Sequence, residues 1–219
     1  NEVVNKWVDQ SGNGNHFQQT TSTNKPLYKY ESTDNGYPYL EFDGSNDFLN
    51  CVNNSIVGGS TGIAREHTVI WVAKPLSSSN QSFLYKNLST SNPRSIRINF
   101  SKLNSSVFVT GYVYDASSRE LEFDYDGTVG NSVFGYYLNN KSVHLFRDST
   151  QVYTNTNSSF DHSDWAFGND SPLTLGANKS SSPTNNFEGY VQELIIFNSR
   201  LTDNQIKNVQ NYLKHKYSI

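Results

Sequence analysis

One short run near the C-terminus, G-Y-V-Q-E-L-I-I-F over residues 189–197, constrains this chain more than any other. It is β-branched and aromatic and carries apolar side chains on both alternating faces, which predicts a strand inside a packed sheet rather than an exposed edge. After the turn N-S-R-L, residues 202–205 read T-D-N-Q and fit a capping box, with Thr202 and Gln205 able to satisfy each other's orphan amides. Leu201 and Ile206 stand at the staple positions, and Ile206, Val209, Leu213 and Tyr217 recur at helical spacing. Lys214, His215 and Lys216 place positive charge in the last turn, where the helix dipole favours it. The chain is expected to close with a one-faced helix docked on a β-fold.

The rest of the chain supplies that β-fold. H-T-V-I-W-V-A at 67–73 reads as a second core strand, with Trp71 in the core. Runs at 83–86, 95–100 and 107–114 follow, separated by Ser/Asn/Pro clusters at the spacing of an antiparallel sandwich. Alternation puts Ile96, Ile98 and Phe100 on one face and Arg97 and Asn99 on the other. Likewise Phe108, Thr110, Tyr112 and Tyr114 share a face opposite Val107, Val109 and Val113. A further strand is expected at 2–8, strands or ribbon split by turns at 139–141 and 148–150 are expected over 136–146 and 151–153, and a hairpin is expected at 37–49 that turns at Asp43-Gly44. With 14% aromatic residues in 219, there is enough bulk for one core, and the chain is expected to be a single domain over 1–219.

Composition removes several classes of function. A net charge of −3 and a pI near 5.9 offer no basic patch for nucleic acid and no attraction to anionic membranes. No apolar run approaches the ~20 residues of a membrane span, so membrane insertion is not expected. Cys51 is the only cysteine, which rules out an intrachain disulfide and a cysteine metal cluster. The five histidines are scattered without H-E-x-x-H spacing, so a zinc site is not expected. G-G-S-T-G at 58–62 matches a nucleophile elbow in form only, because a β-branched run follows where a helix is needed, and Ser60 is not expected to be a nucleophile. The chain contains no Met and starts at Asn1, which points to a piece excised from a longer protein.

Four stretches could carry chemistry. D-Q-S-G-N-G-N at 9–15 offers oxygens at alternate positions around two glycines and matches the first half of a calcium loop through Asp9 and Asn13; it lacks the acid at position twelve, which is Thr20, and the reading set against the metal one is a polar turn. Asp43 and Asp47 flank the turn F-D-G-S-N-D-F, where a carboxylate pair is either solvated or the raw material of a calcium site. R-E-L-E-F-D-Y-D at 119–126 projects Glu120, Glu122 and Asp124 from one face, about 6.6 to 7 Å apart, at separations that glycosidases use. The competing reading is a half-buried strand with a solvated acidic face. Finally, Trp165 lies in the polar stretch 160–170, as a sugar-stacking ring or as a plug beneath a loop.

In order along the chain, W-V-D-Q-S-G-N-G-N, F-D-G-S-N-D-F-L, H-T-V-I-W-V and G-Y-V-Q-E-L-I-I-F resemble the hallmarks of bacterial and phage laminin-G-like domains of the concanavalin A-like lectin superfamily. The resemblance spans essentially the whole chain. It implies an all-β jelly-roll sandwich of two antiparallel sheets, one of them concave, with a short C-terminal helix. It also implies a non-catalytic carbohydrate-binding or adhesion module of a larger extracellular, cell-surface or virion protein, with a glycan or cell-surface receptor and the other domains of the parent as partners. Ligand contacts would then fall to Trp165, Tyr112, Tyr114, Arg97 and Asn99, with calcium at Asp9, Asn13, Asp43 and Asp47. Two alternatives stand beside it: a structural or receptor-binding domain of a phage fibre or capsid decoration, assembled as a homo-oligomer through its parent, and a glycoside hydrolase working through Glu120, Glu122 and Asp124. Superfolds of this kind host all three.

Overall fold

A computed structural model describes residues 2–32, 35–51, 66–77, 79–87, 95–103, 106–114, 120–126, 131–139, 141–160, 172–178 and 184–219. They form a jelly-roll sandwich of two antiparallel sheets with one C-terminal helix, α1 (Asp203–Tyr217). Sheet A runs, edge to edge, β1 (Glu2–Val3), β4 (Leu27–Lys29), β5 (Tyr39–Asp43), β16 (Glu188–Phe197), β7 (His67–Pro75), β12 (Ser132–Asn139), β13 (Ser142–Arg147) and β14 (Thr150–Thr156). Sheet B runs β11 (Glu120–Asp126), β10 (Ser106–Tyr114), β9 (Ser95–Leu103), β8 (Gln81–Asn87), β15 (Leu173–Leu175), β6 (Leu49–Cys51), β3 (Phe17–Gln18) and β2 (Lys6–Trp7).

The main core lies between the sheets. Sheet A contributes Phe42, Val69, Trp71, Phe134, Tyr136 and Leu145, and sheet B contributes Phe83, Ile98, Phe100, Val109, Leu121 and Phe123. Trp71 is fully buried and stacks on Phe134 with ring centroids 5.8 Å apart. Gly111 is required by close approach: a Cβ there would sit 1.8 Å from Cζ of Phe123, whose ring lies across β10. A second core lies outside sheet A, where Ile70, Val72, Val133, Tyr137 and Phe146 meet Ile206, Leu213 and Tyr217 of α1. The helix begins as the sequence predicts, with Thr202 accepting from the Gln205 amide and the Gln205 side chain accepting from the Thr202 N–H at 2.9 Å. Its stripe also contains a polar residue that periodicity overlooks: Gln210 is buried, donates to the carbonyls of Val133 and Phe146, and accepts from the Ser149 N–H.

β16 lies between β5 and β7, as its two-faced apolar pattern predicts, and is paired on both sides from Gly189 to Val191. A bulge between Val191 and Glu193 then shifts its parity, so that Val191, Leu194 and Ile196 all face the main core while Ile195 and Phe197 face the helix side.

Two expectations are corrected. The segment 37–49 is not a hairpin: β5 pairs with β4 and β16 in sheet A, whereas β6 pairs with β3 and β15 in sheet B. Phe42 and Leu49 approach one core from opposite sheets, so the Asp43-Gly44 turn arches across the ~10 Å between layers. The expected single strand at 2–8 likewise splits, with β1 in sheet A and β2 in sheet B. Lys86 is a further surprise, since alternation points it inward; it is 1% exposed, and burial pushes its amine down to about 8.

Candidate functional site

The helix covers the outer face of sheet A, and the outer face of sheet B takes the residues that alternate with its core positions. Strand register lines these up in a transverse row across all eight strands: Lys6, Gln18, Asn50, Thr174, Tyr85, Arg97, Tyr112 and Glu122. A parallel row places Ser82, Asn99, Thr110 and Asp124 side by side. Residues far apart in sequence thus become neighbours because consecutive strands β8 to β11 form a meander and β15 inserts next to β8.

Arg97 is the centre of the first row. Its guanidinium carbon lies 5.5 Å from the centroid of the Tyr85 ring, a cation–π distance, and its Nε is buried without a hydrogen-bond partner. Ser82 Oγ, in the adjacent row, is also buried without a hydrogen-bond partner. Thr174 donates to Asn50 Oδ1 at 2.9 Å, so that end of the row is satisfied internally. Buried polar atoms are normally hydrogen-bonded, and leaving one unmade costs about 1–3 kcal/mol. Two such atoms lie on neighbouring strands of one face.

The expected ligand contacts divide accordingly. Arg97 and Asn99 are both half-buried on this face, and the register sets Tyr112 between Arg97 and Glu122 and Tyr114 opposite Glu120. The side chains of Tyr112 and Tyr114 lie outside the described set, and Trp165 and Ser60 lie outside the described residues altogether. Tyr85, Ser82 and Thr174 belong to the same face and escaped the sequence reading, because their relevance depends on which strands pair.

The acidic strand β11 is the edge of sheet B. Leu121 and Phe123 are buried and Tyr125 packs on the core, as alternation predicts, while Glu122 is half-buried. Glu120 and Asp124 are placed by backbone register only. The edge is closed against sheet A: Asn155 Nδ2 of β14 donates to the Glu122 carbonyl at 2.9 Å, and Arg147 donates to the Tyr125 hydroxyl while its guanidinium sits 5.1 Å from that ring.

The two acidic turns stand apart from this face and from each other. In loop 9–15, Asp9 accepts from the Ser11 N–H (2.8 Å), the Ser11 hydroxyl (2.9 Å) and the Asn15 N–H (2.9 Å), and Ser11 Oγ in turn accepts from the Asn13 side chain. The Ser11 N–H foremost holds the Asp9 carboxyl below its ordinary range. In turn 43–47, Asp43 accepts from the amides of Ser45 and Asn46, and Asp47 accepts from the Asp43 N–H at 3.0 Å. Burial pushes the Asp47 carboxyl up to about 6, against the Asp43 amide bond and helped by the charges of Asp43 and Glu41. Both turns close on their own N–H donors. Among the described residues no three His, Cys, Asp or Glu side chains form a metal-holding group, and none of their helices is long and apolar enough to cross a membrane.

The sequence matches no protein-family model and no curated protein. The fold does have solved counterparts. A CBM40 module of the Ruminococcus gnavus IT-sialidase bound to α2,3-sialyllactose superposes with a TM-score of 0.55 at 17% identity, covering 68% of this chain and 84% of that one. The NanB sialidase of Streptococcus pneumoniae gives a TM-score of 0.59 at 15% identity over 76% of this chain, matching 27% of the sialidase. The enzymatically active domain of tailspike protein 2 from bacteriophage CBA120 gives 0.61 at 13% identity, covering 96% of this chain and 32% of the tailspike chain. At such identities the likeness is one of fold: a β-sandwich shared with carbohydrate-binding modules and with part of a phage tailspike.

Proposed function

We propose that this chain is a non-catalytic glycan-binding module of laminin-G-like type, carried by a larger extracellular or virion protein, and that it holds an acidic glycan on the outer face of sheet B. The observation that carries the reading is Arg97, half-buried over Tyr85 with its Nε unpartnered. A sugar carboxylate would supply the missing acceptor in a charge-assisted bond, Tyr85 and Tyr112 would flank it, and Asn99 and Ser82 would bond hydroxyls. The sialyllactose-bound CBM40 module, of similar fold, supports a sialylated glycan as the ligand class.

A second reading shares this face. The tailspike domain matches nearly the whole length of the chain, which supports placing the module in a phage fibre where glycan contact serves receptor attachment. Calcium at Asp9, Asn13, Asp43 and Asp47 is a separate proposal, since those turns lie away from Arg97. A glycan array probed with the purified chain, in calcium and in chelator, tests all of this. Binding to sialylated glycans in both conditions is expected. Silence in a folded sample removes the glycan-binding reading, loss in chelator brings the metal into the site, and turnover of a sialoside would revive a hydrolase built on Glu120, Glu122 and Asp124.

A further inference from the structure

A pocket of about 260 Å³ opens at the side of the sandwich, between the loop after β2 and the C-terminal half of β16. Its origin is a gap in sheet A. β5 pairs with β16 only as far as Val191, so past the bulge no described strand borders β16 on that side, and residues 193–196 form one wall. Trp7 and Phe17, at the edge of sheet B, form the other, their ring centroids 6.4 Å apart. Apolar surface from Leu194 and Ile196 completes the floor.

The rim is polar and acidic. Asp9, Asn15 and Glu193 line it, and among the described lining residues there is no Lys, Arg or His. Asn15 Oδ1 is buried there without a hydrogen-bond partner. The side chain is held in place through its backbone, because the Asn15 N–H donates to the Asp9 carboxylate at 2.9 Å. On the far side of the strand, Glu193 takes Lys216 Nζ at 2.7 Å and the Tyr217 hydroxyl, which fixes β16 to the helix.

We propose that this pocket is a second glycan subsite, which takes a neutral hexose ring and acts independently of Arg97; the proposal rests on reading the chain as a glycan-binding module. A hexose presents an apolar C–H face that suits the indole of Trp7 and hydroxyls that suit the unpartnered Asn15 amide. The volume lies just below the ≈ 300–1,000 Å³ of drug-sized sites and accommodates a single ring. The Asp9 carboxylate at the rim disfavours a sialic or uronic acid, so the pocket and the Arg97 face select opposite kinds of sugar. One glycan chain, or two chains on one cell surface, could engage both subsites and gain avidity without a new contact.

The test is a lactose titration of the whole chain followed by amide NMR, with Asn15→Ala and Arg97→Ala run in parallel and their folding confirmed by amide dispersion. Lactose is expected to shift the amides of 9–15 and 193–196, to bind at least tenfold more weakly to Asn15→Ala, and to bind Arg97→Ala unchanged. A titration that leaves those amides still, or one whose shifts fall on β8 to β11 and vanish with Arg97→Ala, overturns the subsite. Sialyllactose binding in the same samples reports separately on the Arg97 face, so the two readings fail by different signals.

Discussion

Strands β7 and β9 belong to the same sandwich and end with opposite surfaces. β7 is buried on both sides: Val69, Trp71 and Ala73 face sheet B, and Ile70 and Val72 lie beneath α1. β9 buries Ile96, Ile98 and Phe100 and turns Arg97 and Asn99 outward. The covering helix makes the difference, because a strand with helix on one side and sheet on the other reads as a continuous apolar run, and a strand with one open face alternates. Stability is concentrated where the run is continuous. Polar groups in need of partners collect where it alternates.

The helix-covered side should therefore respond to mutation through stability. Leu213→Ala removes a fully buried side chain between α1 and sheet A and is expected to cost about 2–5 kcal/mol in denaturant melts. A cost below about 0.5 kcal/mol would mean that the helix contributes little to the sandwich.

A pH effect comes next. His67 is fully buried on β7 with Nε2 2.8 Å from the Tyr136 hydroxyl, and burial pushes its pKa from 6.5 down to about 4. Between those values the unfolded chain binds a proton that the folded chain refuses, so stability falls as pH drops from 6.5 to 4, by up to about 3 kcal/mol. Asp47, raised from 3.8 to about 6, has the opposite sign: the folded chain holds a proton the unfolded one gives up, and stability rises as pH falls through 6. The difference in melting between the parent chain and His67→Gln cancels the Asp47 effect and should vanish in its pH slope above 6.5. A difference that is flat from pH 7 to 4 would contradict a neutral buried His67.

The smallest stability effect belongs to the open face. Arg97→Ala removes a half-buried group whose Nε has no hydrogen-bond partner, and the expected change stays within about 1 kcal/mol. A loss several times larger would make Arg97 a structural residue and erase the contrast between the faces.

Legibility in the sequence follows the same division. The strand at 189–197, the capping box at Thr202 and the apolar stripe of α1 could be read because period and cap chemistry are local. The hairpin at 37–49 misled because a turn's sequence does not say whether the chain returns within one sheet or crosses to the other. Arg97 and Asn99 could be assigned to an outward face by alternation, yet their neighbours Tyr85, Ser82 and Thr174 could not, since cross-strand register is a long-range property. For Asp9, Asn13, Asp43 and Asp47 the sequence left a polar turn and a cation site side by side, because the residue types that ligate a cation also close turns on their own amides, as both turns do. The pocket beside Trp7 left no sequence signal, because it arises where β5 stops short of β16.

The most direct test of the account is a calorimetric titration of α2,3-sialyllactose into the parent chain, Arg97→Ala and Arg97→Lys. The account predicts measurable binding by the parent, loss of at least tenfold in affinity for Arg97→Ala with melting almost unchanged, and incomplete rescue by Arg97→Lys, which restores charge without the planar fork. Equal affinity in all three proteins would place sialoside binding elsewhere and contradict the assignment of the sheet B face.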